Sequence, residues 1–360
     1  MACREPDLVA PFPYFGGKRR VAAEVWARFG DVPNYVEPFF GSGAVLLARP
    51  NPAGKVETVN DLDGLLCNFW RAARAAPEEV AKHADWPVSE SDLHPRHLRL
   101  VRAREDVTRK LQADPDWFDA KLAGWWVWGA CAWIGSGWCS GEGPWEHDGD
   151  DWVKLGDRGR GINRKLPHLN RGRGINRQLP HIGNRGSGIN RQLPHLMLGQ
   201  GINRKLPHLG DRGTGITEWF AELQSRLRDT RVACGSWERV LSPTVLSRVG
   251  EPCGVFLDPP YDDGNMAYSV GGKCAADVRA WVIENGDNPK LRIALCGYDE
   301  HNELAGHGWT RHGWKAKGGY GKQSSGDARA NSAREAVWFS PHCLPPSTNA
   351  REPALLFKDI

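Results

Sequence analysis

The sequence predicts an α/β protein built on an open sheet, and three observations carry that expectation. Gly254-Val255-Phe256-Leu257 is a short apolar run of the kind that forms a buried strand, and it ends at Asp258-Pro259-Pro260-Tyr261. Tyr35-Val36-Glu37-Pro38-Phe39-Phe40 is extended and apolar, then passes through Gly41-Ser42-Gly43 into a helical start at Ala44-Val45-Leu46-Leu47. Val56-Glu57-Thr58-Val59 reads as a further strand that stops at Asn60-Asp61. In open α/β sheets ligands bind beyond the carboxyl ends of the strands, which is where these polar residues fall.

Each element can be justified in chain order. Tyr14-Phe15-Gly16-Gly17-Lys18 supplies an aromatic face, flexible backbone and a cation that could reach a ligand carboxylate; a surface loop would have the same composition. The glycine pair at 41 and 43 allows a tight turn and close ligand approach, although a plain strand-to-helix turn explains it equally well. Asp61 lies about 20 positions beyond the glycines at a second strand end, suited to gripping ribose hydroxyls. Glu78 to Gln112 intersperses charges among Leu93, Leu98, Leu100, Val101 and Leu111, as one or two amphipathic helices do. Asp119 to Ile134 predicts a buried helix, opened by the aspartate and closed before Gly135, with Trp125, Trp126, Trp128 and Trp133 packed in a core. Trp138, in the glycine-rich loop that follows, is a candidate wedge for the gap left by an extruded base.

The middle of the chain is a repeat. Gly161-Ile-Asn-Arg-Lys-Leu-Pro-His-Leu169 recurs from Gly174, Gly188 and Gly201, with a degenerate start at Gly215-Ile216. Self-similarity at a period of 13 or 14 residues predicts one supersecondary unit per copy, and Pro167 argues for extended segments over helices. The segment from Asp157 to Thr214 carries a net charge of +10, so the rest of a chain whose total is +4 carries −6. Such localised basicity is the footprint expected on phosphates. Arg164, Arg177, Arg191 and Arg204 would stand in a row, suited to phosphates or guanine edges; they could equally bridge neighbouring repeats. The histidines at 168, 181, 195 and 208 lack cysteine or carboxylate partners at ligand spacing, so no metal is expected.

Tyr14-x-Gly-Gly-Lys18, Phe39-x-Gly-Ser-Gly43, Asn60-Asp61 and Asp258-Pro-Pro-Tyr261, in that order, resemble the motifs of Dam-type, α-group DNA adenine-N6 methyltransferases. Arg334-Glu335-Ala336-Val337-Trp338-Phe339-Ser340-Pro341 is similar to the closing strand of that family. The resemblance covers roughly residues 11 to 75 and 230 to 345. It implies a Rossmann-like methyltransferase sheet with an inserted target-recognition domain that contains the repeat array. It further implies S-adenosyl-L-methionine as cofactor and N6 of adenine in double-stranded DNA as acceptor. Asp258, Pro259, Pro260 and Tyr261 would be catalytic, and Tyr14, Lys18, Glu37, Phe39, Gly41, Gly43, Asp61 and Asp258 would contact the cofactor. On this basis the methyltransferase domain spans 1–75 and 217–345, the helical Trp-rich part of the recognition domain 76–156, the repeats 157–216 and a tail 346–360.

Composition sets bounds. At 360 residues, with 25% charged and 40% hydrophobic side chains, the chain can bury a sizeable core, in two domains. No amino-terminal signal is visible, and the longest strongly apolar stretch, Leu122 to Ile134, is too short to span a bilayer. Nine cysteines without a Cys-x-x-Cys pair read as reduced thiols, neither a disulfide framework nor a zinc site. A cytoplasmic monomer from a bacterium or its virus is the expectation. A cytosine-N4 methyltransferase usually has Ser where Asp258 stands, and an RNA adenine methyltransferase commonly has Asn. A non-catalytic DNA-binding repeat protein on a methyltransferase scaffold is the rival from another class.

Overall fold

A computed structural model describes residues 8–12, 14, 18–133, 138–139, 146–147, 152–153, 215–247, 249–260, 274–297, 299–313 and 335–346. Nine strands and nine α-helices are among them. The strands are Asn34–Glu37 (β1), Val56–Asp61 (β2), Glu146–His147 (β3), Trp152–Val153 (β4), Thr230–Cys234 (β5), Cys253–Leu257 (β6), Leu291–Gly297 (β7), Thr310–Gly313 (β8) and Ala336–Phe339 (β9). The helices are Ala22–Phe29 (α1), Ala44–Leu47 (α2), Gly64–Ala75 (α3), Pro77–Ala84 (α4), Glu90–Ala113 (α5), Ala120–Ala132 (α6), Ile216–Leu227 (α7), Pro243–Leu246 (α8) and Ala275–Asn285 (α9).

Seven strands form one sheet in the order β5-β2-β1-β6-β7-β9-β8. The first five are parallel, and β9 runs antiparallel between β7 and β8. This mixed α/β sheet is consistent with a Rossmann-like methyltransferase. The chain winds outward from β1 to β2 and β5, then returns to β6 on the other side of β1. The carboxyl ends of β1 and β6 therefore form the topological switch point, the place where such sheets bind ligands.

Strand alternation divides the core in two. Tyr35, Phe256, Ala294, Cys296, Val337 and Phe339 face a cluster shared with α1, α3, α4, α6 and α7. Val36, Val255, Leu257, Ile293, Leu295 and Trp338 face the opposite cluster, with Val278 and Val282 of α9 and with Trp237, Leu304 and Trp309. Side chains on successive strand residues point to opposite faces, so both faces of these strands must be apolar. This is why the sequence shows apolar runs at β1 and β6 instead of alternation with polar residues.

The helical expectations take definite form. The amphipathic stretch is two helices, α4 and α5. The Trp-rich helix is α6; its cap is Asp119, whose Oδ1 accepts the Leu122 N–H at 2.8 Å. Trp126, Trp128 and Trp133 are buried, whereas Trp125 is only half-buried. One reading is corrected. Trp138 is a packing residue, not a free wedge: it lies so close over Gly129 of α6 that a Cβ there would overlap its ring, and its Nε1 donates to the Trp126 carbonyl at 3.0 Å. Gly215 is the cap and Ile216 the first residue of α7. The repeats themselves, with Arg164, Arg177, Arg191 and Arg204, lie outside the described residues, as do Tyr261 and the tail from 347. No helix among the described residues is long and apolar enough to cross a membrane.

Candidate active site

Three strand ends converge at the switch point. Phe40 N–H donates to the Asn60 carbonyl at 2.9 Å, linking the ends of β1 and β2. Asn60 Nδ2 donates to the carbonyls of Pro38 (3.1 Å) and Gly235 (2.9 Å), so one buried amide ties β1, β2 and the end of β5 together. Its Oδ1 is buried without a partner.

The glycine turn is rigidly held. Gly41 has φ +48° and Gly43 φ +62°, in the left-handed region where a side chain is strained. A Cβ at Gly41 would lie 2.6 Å from the Tyr14 ring, and one at Gly43 would lie 2.7 Å from the Phe40 ring. Gly41 N–H donates to Asp61 Oδ2 at 3.0 Å, and the Gly41 carbonyl accepts the Trp70 indole N–H at 3.0 Å. Asp61 Oδ1 accepts the Asp63 N–H at 3.0 Å. Burial raises the Asp61 carboxyl to about 6, against the opposing pull of the Asp63 and Gly41 amides.

Lys18 connects the two ends of the chain. Its Nζ lies 3.0 Å from Asp258 Oδ1, with the lysine side chain 4% exposed and the aspartate 22%. Burial alone would lower the Lys18 pKa, but the charges of Asp258, Cys296 and Glu335 and the hydrogen bond to Asp258 together outweigh it, and the ammonium is held well above its ordinary range. The sequence suggested a cation for a ligand carboxylate, and in the structure it is paired with Asp258. Pro259 is buried and Pro260 half-buried directly beyond.

Glu37, at the end of β1, is 2% exposed and accepts the Tyr35 hydroxyl proton at 2.8 Å. Burial pushes its carboxyl well up, opposed by the Tyr35 hydroxyl and reinforced by the Asp258 charge. Tyr14 is 40% exposed, its ring edge-on to Phe12 and lying over Gly41. Phe39 stacks on Trp237, centroids 6.2 Å apart.

Two groups were missed from the sequence. Glu335 precedes β9, whose antiparallel course brings it to the carboxyl end of β7; its Oε2 is buried without a partner. Burial raises its carboxyl, while Lys18 lowers it and Asp258 raises it further. Trp237 follows β5 and supplies the ring under Phe39. The Arg334-Glu335 pair before a strand was the available signal for the first; nothing local marked the second.

Residues 14–106 match the D12 class N6 adenine-specific DNA methyltransferase family. This bears out the Dam-type resemblance, and it supports DNA adenine methylation as the general activity, with DNA as substrate. The matched segment contains Tyr14, Lys18, the Gly41 turn and Asp61, and ends far before Asp258. No curated protein matches the chain.

Proposed function

We propose that the protein transfers a methyl group from S-adenosylmethionine to N6 of an adenine that has been turned out of duplex DNA. The observation that carries this reading is the Lys18–Asp258 ion pair at 3.0 Å. It joins the first motif of the D12-like segment to the Asp-Pro-Pro turn, on the rim where Asp61 and Glu37 also end.

The residues at this rim fit the cofactor. Glu37, Asp61, Asp258 and Glu335 outnumber Lys18, a donor set suited to a sulfonium cation. A carboxylate has about four acceptor positions. Asp61 gives some to the amides of Gly41, Asp63 and Leu62, which leaves room for a ribose hydroxyl. Tyr14 and Phe39 offer rings on either side of the Gly41 turn, and Gly43 keeps that turn tight. When bound, S-adenosylmethionine supplies the electrophilic methyl group.

The chain's own part is to hold the amine. N6 of a stacked adenine is out of reach, so the base must leave the duplex. Its lone pair is conjugated with the purine ring and is a poor nucleophile. Hydrogen bonds from its two protons to the Asp258 carboxylate and the Pro259 carbonyl favour a tetrahedral nitrogen whose lone pair points away from the ring. Lys18 fixes the carboxylate for that task. Pro260 stiffens the turn, and Tyr261 would stack on the extruded base, a contact worth ~1–3 kcal/mol.

Incubation with methyl-labelled S-adenosylmethionine and duplex DNA, followed by nucleoside digestion, tests the reading. Label in adenine is expected, and Asp258→Ala should abolish it while the protein remains folded. Label confined to cytosine or RNA, or turnover retained in Asp258→Ala, would overturn it.

A further inference from the structure

On the helical side of the molecule an open pocket of about 320 Å³ is lined by Ser91, Asp92, Pro95, Arg96, Arg99 and Trp125. Arg96 is 8% exposed, and its Nη1 is buried without a hydrogen-bond partner. Three indoles surround it: its Cζ lies 4.3 Å from the Trp128 ring centroid, 5.2 Å from Trp86 and 5.4 Å from Trp125. Lys121 covers Trp125 as well, Nζ 4.8 Å from the centroid. The one acid at the site, Asp92, already accepts the Trp86 indole N–H at 3.1 Å.

A buried cation without a hydrogen-bonded anion is costly, and cation–π contacts with three rings offset only part of that cost. Arg96 lines the pocket together with Arg99, and Lys121 lies against Trp125. Three cations against one engaged carboxylate select an anion, and a planar fork beside an indole suits a phosphate oxygen.

We propose that this pocket is a phosphate-binding site that takes a backbone phosphodiester of the DNA substrate. The assignment to DNA rests on the function proposed above. It agrees with position: Arg96 is eight residues from Arg104 on α5, about 12 Å along the helix axis. Arg104 itself lies against Asp63, 3.6 Å away, at the carboxyl rim of the sheet. A single turn of duplex covers about 34 Å, so one DNA molecule can occupy both places.

The test uses the full chain carrying Arg99→Ala or Lys121→Ala, both exposed positions, and Arg96→Lys, which keeps the charge and loses the fork. Binding of a short duplex is measured against KCl concentration, and folding is checked by thermal melting. The Arg99 and Lys121 variants should each reduce the slope of log K against log salt by about one, whereas Arg96→Lys, which keeps its charge, should weaken binding with the slope unchanged. The Arg99 and Lys121 variants should melt like the unsubstituted protein. Slopes identical to the unsubstituted protein in the Arg99 and Lys121 variants would overturn the proposal. So would inorganic phosphate raising the melting temperature of the unsubstituted protein only, with DNA slopes unchanged, since that would assign the pocket to a free phosphate compound. Duplex binding with altered slopes but without methyl transfer would refute the methyltransferase reading and leave this site standing; methyl transfer with unaltered slopes would do the reverse.

Discussion

Breaking the Lys18–Asp258 pair is the most informative perturbation. The charges are 3.0 Å apart. At an effective dielectric of about 20, Coulomb's law gives roughly 5 kcal/mol for that separation. Asp258 remains 22% exposed, so water recovers part of this when Lys18 is removed. A coupling of about 3 kcal/mol is therefore expected, within the range for buried pairs that lose one partner. Lys18→Met and Asp258→Ala should each destabilise the protein, and the double variant should be far less damaged than their sum. Urea unfolding of the four proteins measures this directly. Calorimetric titration with S-adenosylmethionine adds a second readout: a lysine that positions Asp258 lowers kcat more than cofactor affinity, whereas one that grips the cofactor lowers affinity first. A coupling below about 0.5 kcal/mol, typical of exposed pairs, would refute the electrostatic argument. An affinity loss without a kcat effect would refute the positioning role.

Three further outcomes follow from the same structure. Glu57 is 3% exposed and bonded to Arg49, Arg226 and Thr230; Glu57→Ala should cost about 3–5 kcal/mol in urea unfolding, because it strands the buried Arg49 and the partly buried Arg226. His97, stacked on Trp133, has its pKa lowered by burial from 6.5 to about 4. Its unfolded form binds the proton more readily, so stability is intact above about 6.5 and falls by about 3 kcal/mol as pH drops to about 4; His97→Phe should flatten that decline. Asp61, raised to about 6, must be ionised to accept ribose hydroxyls at full strength. S-adenosylmethionine affinity should therefore fall below about pH 6 in titration calorimetry, and Asp61→Asn should bind weakly at every pH.

Much of this was legible locally. Apolar runs gave β1 and β6, because strands buried on both faces have little room for polar alternation. Asp119 marked the start of α6 because a carboxylate can satisfy a helix-end amide. What escaped is long-range. Nothing near Lys18 says that its partner is Asp258, and nothing in Glu335 says that β9 will insert between β7 and β8 and bring it to the rim. Trp138 was misjudged because its place is defined by a missing side chain, Gly129, on the neighbouring helix.

The charges at the rim bear on how DNA can be held at all. Glu37, Asp61, Asp258 and Glu335 suit a cationic cofactor, yet those of them that ionise repel phosphates. Outside residues 157 to 214 the chain is net negative. Affinity for a polyanion must then come from cations away from the reaction centre, and the +10 segment is the largest reserve of them. Replacing Arg164, Arg177, Arg191 and Arg204 together by Gln separates the two roles assigned to them. If they reach phosphates, the salt slope of DNA binding should fall by up to about four, at roughly 0.9 per contact. S-adenosylmethionine affinity should stay unchanged, because the contacts proposed for it lie on the sheet. If they only bridge neighbouring repeats, thermal stability should fall while the salt slope holds, and the duplex would have to be gripped elsewhere on the chain.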